Sequence, residues 1–175
     1  MSILSDISLE DIYPEIDNNQ RTPNGIDLRI GALYKISDDI EDVGIILDEK
    51  IFPSLEKVNW SERTINGIKY DKLLIMEPMT AYRVKVMDNT HIPNDKVENY
   101  WIRSSFATCG ITLSAGVGDA GYNGNLEFTL INNTKKPFYT MEGTRFVQMI
   151  MNNLDKQSDS SYDGDFQNNK HGDIR

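Results

Sequence analysis

Ser114-Ala115-Gly116-Val117-Gly118-Asp119-Ala120-Gly121-Tyr122-Asn123-Gly124-Asn125-Leu126-Glu127-Phe128-Thr129-Leu130 is the stretch whose reading decides the fold. It begins as a strand, breaks at glycines around one carboxylate and one aromatic ring, and resumes as a strand. Gly116, Gly118, Gly121 and Gly124 remove the Cβ at four positions, so backbone or ligand can approach the main chain closely. Leu126, Phe128 and Leu130 then alternate with Asn125, Glu127 and Thr129, the pattern of a half-buried strand. The stretch predicts a β-hairpin whose bend holds Asp119 and Tyr122 over bare backbone. Taken alone, it reads first as an ordinary glycine-rich hairpin with a solvated aspartate.

Outward from the hairpin, short strands follow one another between turns. Ile26–Ile30 alternates apolar with charged residues, and Gly31 separates it from a second run at Leu33–Ile36. Asn66-Gly67 between Thr64-Ile65 and Ile68-Lys69-Tyr70 predicts a tight hairpin. Strands are expected at 72–76 and at 82–87, where Tyr82, Val84 and Val86 share one face, and after Gly143 at 144–151. The one helix expected is short, at 5–13, with Ser8 and Asp11 in capping-box spacing and Pro14 ending it. Residues 38–42 read as a solvated acidic turn rather than a metal site, since they lack the spacing of a calcium loop. The fold expected is all-β, a distorted β-barrel or jelly-roll-like (β-clip) domain over residues 1–156. The segment 157–175, rich in Ser, Asp, Asn and Gly, is expected to be a flexible C-terminal tail.

A 175-residue chain with 39% hydrophobic and 26% charged residues is most simply one soluble domain with its own core. A net charge of −9 argues against a general nucleic-acid or anionic-membrane surface. No secretory signal or membrane-spanning run is apparent, and a single cysteine fits a reducing compartment, so a cytoplasmic location is expected. Cys109 itself reads as a small buried residue.

Four motifs in order are more informative than any one of them: Asn24-Gly25-Ile26-Asp27-Leu28, Arg103-Ser104-Ser105, Gly118-Asp119-Ala120-Gly121-Tyr122-Asn123-Gly124, and Gly143-Thr144-Arg145-Phe146-Val147-Gln148. Together they resemble the dUTPase/dCTP deaminase superfamily of trimeric β-barrel nucleotide enzymes. The match spans about residues 24–151, with a spacing that suits the shorter archaeal-type dUTPases (deoxyuridine 5'-triphosphate nucleotidohydrolases). Ile3-Leu4-Ser5-Asp6 and the tail Tyr162–Gln167 are similar to deaminase-like members, whereas the glycine-rich tail of common dUTPases is absent. Deaminases of this kind carry an arginine where this chain has Thr108, and a catalytic glutamate where it has Thr129. Glu127 lies two residues earlier on the same strand face. A threonine hydroxyl is a poor proton carrier at neutral pH, so the resemblance points to dUTP hydrolysis to dUMP and pyrophosphate.

That resemblance implies roles for particular residues. Asp119 would be the catalytic base for water attacking the α-phosphorus. Ser104 and Ser105 would donate to phosphate, while Arg103 would either grip it directly or support the site; Arg145 and Gln148 join the substrate-binding set. Gln148 reads as a contact to phosphate or to an adjoining subunit, and equally as a polar residue on the barrel surface. Tyr122 would stack beneath the deoxyribose from a position open to a pocket, and main-chain groups of Leu113, Ala115, Gly116 and Val117 would read uracil. Tyr162, Phe166, Gln167 and Lys170, with Arg175, would order as a lid over bound nucleotide, and His171 reads as solvated. Asp27 would be near the site and structural. Mg²⁺ would be held mainly through the triphosphate with no dedicated protein ligands, and a homotrimer with shared active sites would follow. Two rivals stand beside this reading. One is a dCTP deaminase, with or without diphosphatase activity, working through Glu127. The other is a non-catalytic nucleotide-binding regulator, for which the altered tail and Trp101-Ile102 before Arg103 leave room.

Overall fold

The computed structural model describes residues 2–37 and 42–169. Its elements run α1 (Asp6–Glu10), β1 (Arg21–Thr22), β2 (Gly25–Ile36), β3 (Gly44–Ile46), β4 (Glu49–Ile51), β5 (Leu55–Lys57), β6 (Ser61–Ile65), β7 (Ile68–Met76), β8 (Thr80–His91), β9 (Lys96–Ile102), α2 (Ser104–Thr108), β10 (Ile111–Ser114), β11 (Asn123–Asn132), β12 (Phe138–Met141) and β13 (Arg145–Asn153). The main sheet follows β10-β11-β8-β2-β13-β9, with β1 and β5 added to β2. A smaller sheet, β12-β7-β6, and the β3–β4 ribbon complete the strands. The ends of the main path meet, because Gly118 in the loop after β10 bridges to Glu98 on β9. The sheet is thus a nearly closed barrel, as the sequence predicts.

The strands form where the alternation predicts them. Along β11, Leu126, Phe128 and Leu130 are buried while Asn125, Glu127 and Thr129 face partly outward. On β8, Tyr82, Val84 and Val86 point inward and meet Ile30, Leu33 and Phe128 in one cluster. Each such side chain removed from water contributes about 1.5–3 kcal/mol, which holds the layers together. Asn66 and Gly67 both take positive φ (50° and 80°), the backbone a tight hairpin turn requires.

Four local expectations are corrected. Gly31 does not separate two strands: β2 runs through it with a register shift between Ile30 and Ala32. A Cβ there would sit 3.0 Å from the Met87 main chain, so the glycine permits a bulge at a close crossing. Helix α1 is shorter than the expected 5–13, and Ser8 falls inside it rather than at its cap. Ser104–Thr108 forms a helix, α2, too short to leave a period in the sequence. Finally, Cys109 is exposed, because it caps α2 on the outer side instead of facing the core. The acidic turn expected at 38–42 lies outside the described residues apart from Asp42. Among the described residues no helix is long and apolar enough to cross a membrane.

Candidate functional site

The loop 115–122 does not close the β10–β11 hairpin directly. β10 ends at Ser114, opposite Thr129, and the chain then crosses to β9. There Gly118 N donates to Glu98 O at 2.9 Å and Glu98 N to Gly118 O at 3.0 Å. On the other side Gly121 N donates to Ile92 O at 2.9 Å, and Ile92 N to Tyr122 O at 2.9 Å. Asp119 and Ala120 form the tip between these two clamps, closed by Tyr122 N donating to Asp119 O at 3.1 Å. Asp119 is exposed, as are Ala115, Gly116 and Val117, while Leu113 pairs with Leu130 and leans on the core.

Tyr122 departs from its expected exposure. It is 7% exposed, part of the core cluster, and its hydroxyl donates to Asn125 O at 2.9 Å. Burial first, then the neighbouring Glu127, Tyr162 and Glu98, pushes its phenol up to about 12. The covering comes from the tail. Tyr162 meets Tyr122 edge-on with ring centroids 5.7 Å apart, and Tyr162 N donates to Ala120 O at 2.9 Å. Gln167 clasps the bend: its Nε2 donates to Gly121 O at 2.9 Å and its Oε1 accepts from Asn123 N at 2.9 Å. Asp165 pairs with Lys50 of β4 at 2.5 Å, and Phe166 remains exposed beside them. Lys170, His171 and Arg175 lie outside the described residues. Tail and bend together line a cavity of about 370 Å³ whose walls include Lys96, Asp119, Ala120, Ser160 and Tyr162.

The other predicted residues gather elsewhere. Arg103 Nε lies 3.0 Å from Asp27 Oδ2, and Arg145 Nη1 lies 3.5 Å from the same oxygen. Asp27 is 3% exposed, and burial, partly offset by Arg103 and Arg145, holds its carboxyl above the ordinary value. Arg103 Nη1 also donates to Arg145 O at 3.2 Å, so this guanidinium is occupied in joining α2 to β13. Gln148 sits opposite Asp27 in the β13–β2 register and donates to Thr22 Oγ1 at 2.9 Å. Ser104 and Ser105 are exposed at the start of α2. From the Gly118 bridge at Glu98 to Arg103 is five residues of extended chain, roughly 16 Å at the usual rise. The predicted site therefore falls into two groups at opposite ends of β9 within one chain.

Sequence reasoning missed one buried group. Glu98 is fully buried; Tyr13 Oη donates to its Oε1 at 2.5 Å and Tyr100 Oη to its Oε2 at 2.6 Å. Burial, opposed by the two phenol hydrogen bonds, raises its carboxyl to about 7. A signal existed, since Glu98, Tyr100 and Ile102 share one strand phase, and a charge in an inward phase calls for partners. Glu127, the residue proposed for deamination, lies 3.1 Å from Arg83 across the β11–β8 pair. Among the described residues no three potential ligands from His, Cys, Asp and Glu gather around a metal position.

Comparison with known proteins agrees with the fold. A family model described as dCTP deaminase-like matches residues 3–154. A probable deoxyuridine 5'-triphosphate nucleotidohydrolase of Methanopyrus kandleri is 26% identical over 166 residues, covering 94% of this chain and 98% of the relative. A dCTP deaminase, dUMP-forming, of Methanosphaera stadtmanae is 27% identical over 172 residues, covering 93% of this chain and 84% of the relative. The solved 2'-deoxycytidine 5'-triphosphate deaminase from Agrobacterium tumefaciens superposes with a TM-score of 0.60 at 18% identity, over 85% of this chain and 47% of that one.

Proposed function

The chain belongs to the dCTP deaminase-like family, and within it we propose that this protein is a dUTP diphosphatase, hydrolysing dUTP to dUMP and pyrophosphate. The observation that carries the reading is Asp119, an exposed carboxylate at the tip of a bend clamped on both sides. In the reaction Asp119 takes a proton from water as the water oxygen bonds to the α-phosphorus. The bond from that phosphorus to the α–β bridging oxygen breaks, and pyrophosphate leaves. Main-chain groups of Leu113, Ala115, Gly116 and Val117 read uracil beside it. Tyr122 lies under the tail strap, and lifting of Tyr162 would open its ring to the sugar.

Ser104 and Ser105 donate to phosphate oxygens, with the half-exposed Arg145. Arg103 is assigned to support, because its Nε and Nη1 bind Asp27 and the Arg145 carbonyl and so tie α2 to β2 and β13. Gln148 holds the Thr22–Asn24 turn beside them. A second copy would bring this group to Asp119, which is why a homotrimer with shared sites fits the reading. Tyr162, Phe166, Gln167 and Lys170 belong to the lid. Mg²⁺ would be held mainly through the triphosphate oxygens, whose charge it would neutralise, without a dedicated protein ligand. This accords with the lack of any cluster of three potential ligands among the described residues and leaves Asp119 free as the base. A cytoplasmic setting accords with the lone cysteine.

A second reading, deamination of dCTP, is supported by the deaminase named among the relatives and by Glu127, which shares the outward face of Thr129. The ion pair of Glu127 with Arg83 weighs against it as a proton carrier. Hydrolysis of dUTP in ¹⁸O-labelled water tests the first reading: the label is expected in dUMP, and label in pyrophosphate would refute attack at the α-phosphorus.

A further inference from the structure

Gly118 is the point at which the Asp119 loop rests on the barrel, and what lies beneath it is a tyrosine hydroxyl. A Cβ at Gly118 would fall 2.3 Å from Tyr100 Oη, 2.7 Å from Ile92 Cδ1 and 2.9 Å from Glu98 Cβ. Tyr100 cannot drift from this place. Its ring packs on Phe128 with centroids 4.9 Å apart, and its hydroxyl is tied to Glu98 Oε2 at 2.6 Å. Glu98 in turn is fixed by Tyr13 at its other oxygen and by two main-chain bonds to Gly118 itself. Glu98 thus reaches the loop twice, through its backbone and through the phenol that its carboxylate holds.

We infer that Tyr100, held by Glu98, is a positioning residue for Asp119: it forms the floor that sets the height of Gly118 and hence the placement of the next residue's carboxylate. The inference rests on the diphosphatase reading, in which Asp119 activates water. A general base must sit within hydrogen-bond reach of its proton, and a misplacement near 1 Å costs about a hundredfold in rate. Tyr13 supplies a matched control. It makes the same kind of bond to the same carboxylate, and its hydroxyl also accepts from His91 N at 3.3 Å, but Gly118 packs on Tyr100 rather than on Tyr13.

The test compares Tyr100→Phe with Tyr13→Phe in the full chain, using dUTP with Mg²⁺ and amide exchange at Gly118. Each variant leaves one Glu98 oxygen without its phenol, so both lose thermal stability. Tyr100→Phe is expected to lower kcat by about tenfold or more with KM within about twofold, whereas Tyr13→Phe keeps kcat within about twofold. The Gly118 amide is expected to exchange faster in Tyr100→Phe only, judged against core amides of β8. Equal kcat and equal Gly118 exchange in the two variants would overturn the inference. Should Tyr100→Phe fail to fold, Glu98→Gln, which must turn one phenol around, is expected to lower kcat and speed Gly118 exchange; wild-type values of both would overturn it. If the wild-type protein does not hydrolyse dUTP, the diphosphatase reading falls. The inference is then decided by Gly118 exchange alone, equal rates in the two tyrosine variants refuting it.

Discussion

Arg103 and Asp27 form an ion pair of 3.0 Å at the junction of β2, β13 and α2, with the aspartate almost wholly buried. Removing the carboxylate charge leaves two guanidinium groups facing each other. Both arginine side chains keep about a third of their exposure (30% and 37%), so water screens part of the cost. Asp27→Asn is expected to destabilise the chain by about 2–3 kcal/mol, less than a fully buried pair would lose. Urea unfolding checks this: the midpoint falls while the slope stays constant.

Gly118 and Gly116 make opposite demands although they are two residues apart. A Cβ at Gly118 meets three groups below 3.0 Å, while at Gly116 it meets nothing within 4 Å. Gly118→Ala is expected to lower the melting midpoint by about 5–10 °C through overpacking. Gly116→Ala should leave the midpoint unchanged, and any effect should appear in KM for dUTP. Thermal scans of both variants decide this.

Glu98 links stability to pH. Its carboxyl is raised to about 7 in the fold against an ordinary 4.5, chiefly by burial, and the phenols facing it are Tyr13 from the segment after α1 and Tyr100 from its own strand. Between those two values the folded chain holds a proton that the unfolded chain releases. The group's contribution is therefore complete below pH 4.5 and is lost as pH rises through 7. The wild-type protein should gain on the order of 3 kcal/mol relative to Glu98→Gln on going from pH 8.5 to pH 5. Denaturant titrations at the two pH values measure the difference, which also cancels the general effect of the net charge.

Gln167 ties the tail to the bend with three bonds, to Gly121 O, Asn123 N and Tyr162 O. As part of a lid it affects the closed state and not the barrel. Gln167→Ala is expected to reduce kcat/KM for dUTP by about three- to tenfold, with the melting midpoint within about 1 °C of wild type. Steady-state kinetics beside a thermal scan test both halves.

The sequence carried the barrel and the bend because those rest on local signals. Asn66-Gly67 allows only a tight turn, and Tyr82, Val84 and Val86 mark an inward face whatever they pack against. The division of the site was not legible in the same way. Nothing local in Gly118 says that it will pair with Glu98, since that bond joins segments brought together only by closure of the barrel. Tyr122 was misread for a related reason: its burial depends on Tyr162, forty residues downstream in a polar segment. Glu98 was the avoidable miss, because its strand phase already placed it inside.

The central claim, that Asp119 activates water on dUTP, is tested most directly by product analysis. Wild-type protein and Asp119→Asn are each incubated with Mg²⁺ and either dUTP or dCTP. The account predicts dUMP and pyrophosphate from dUTP, unchanged dCTP, and a loss of about 10²–10⁴ in rate for the variant, whose fold is untouched because Asp119 is exposed. Deaminated product from dCTP without hydrolysis of dUTP, or dUTP bound and left intact by the wild-type protein, would contradict it.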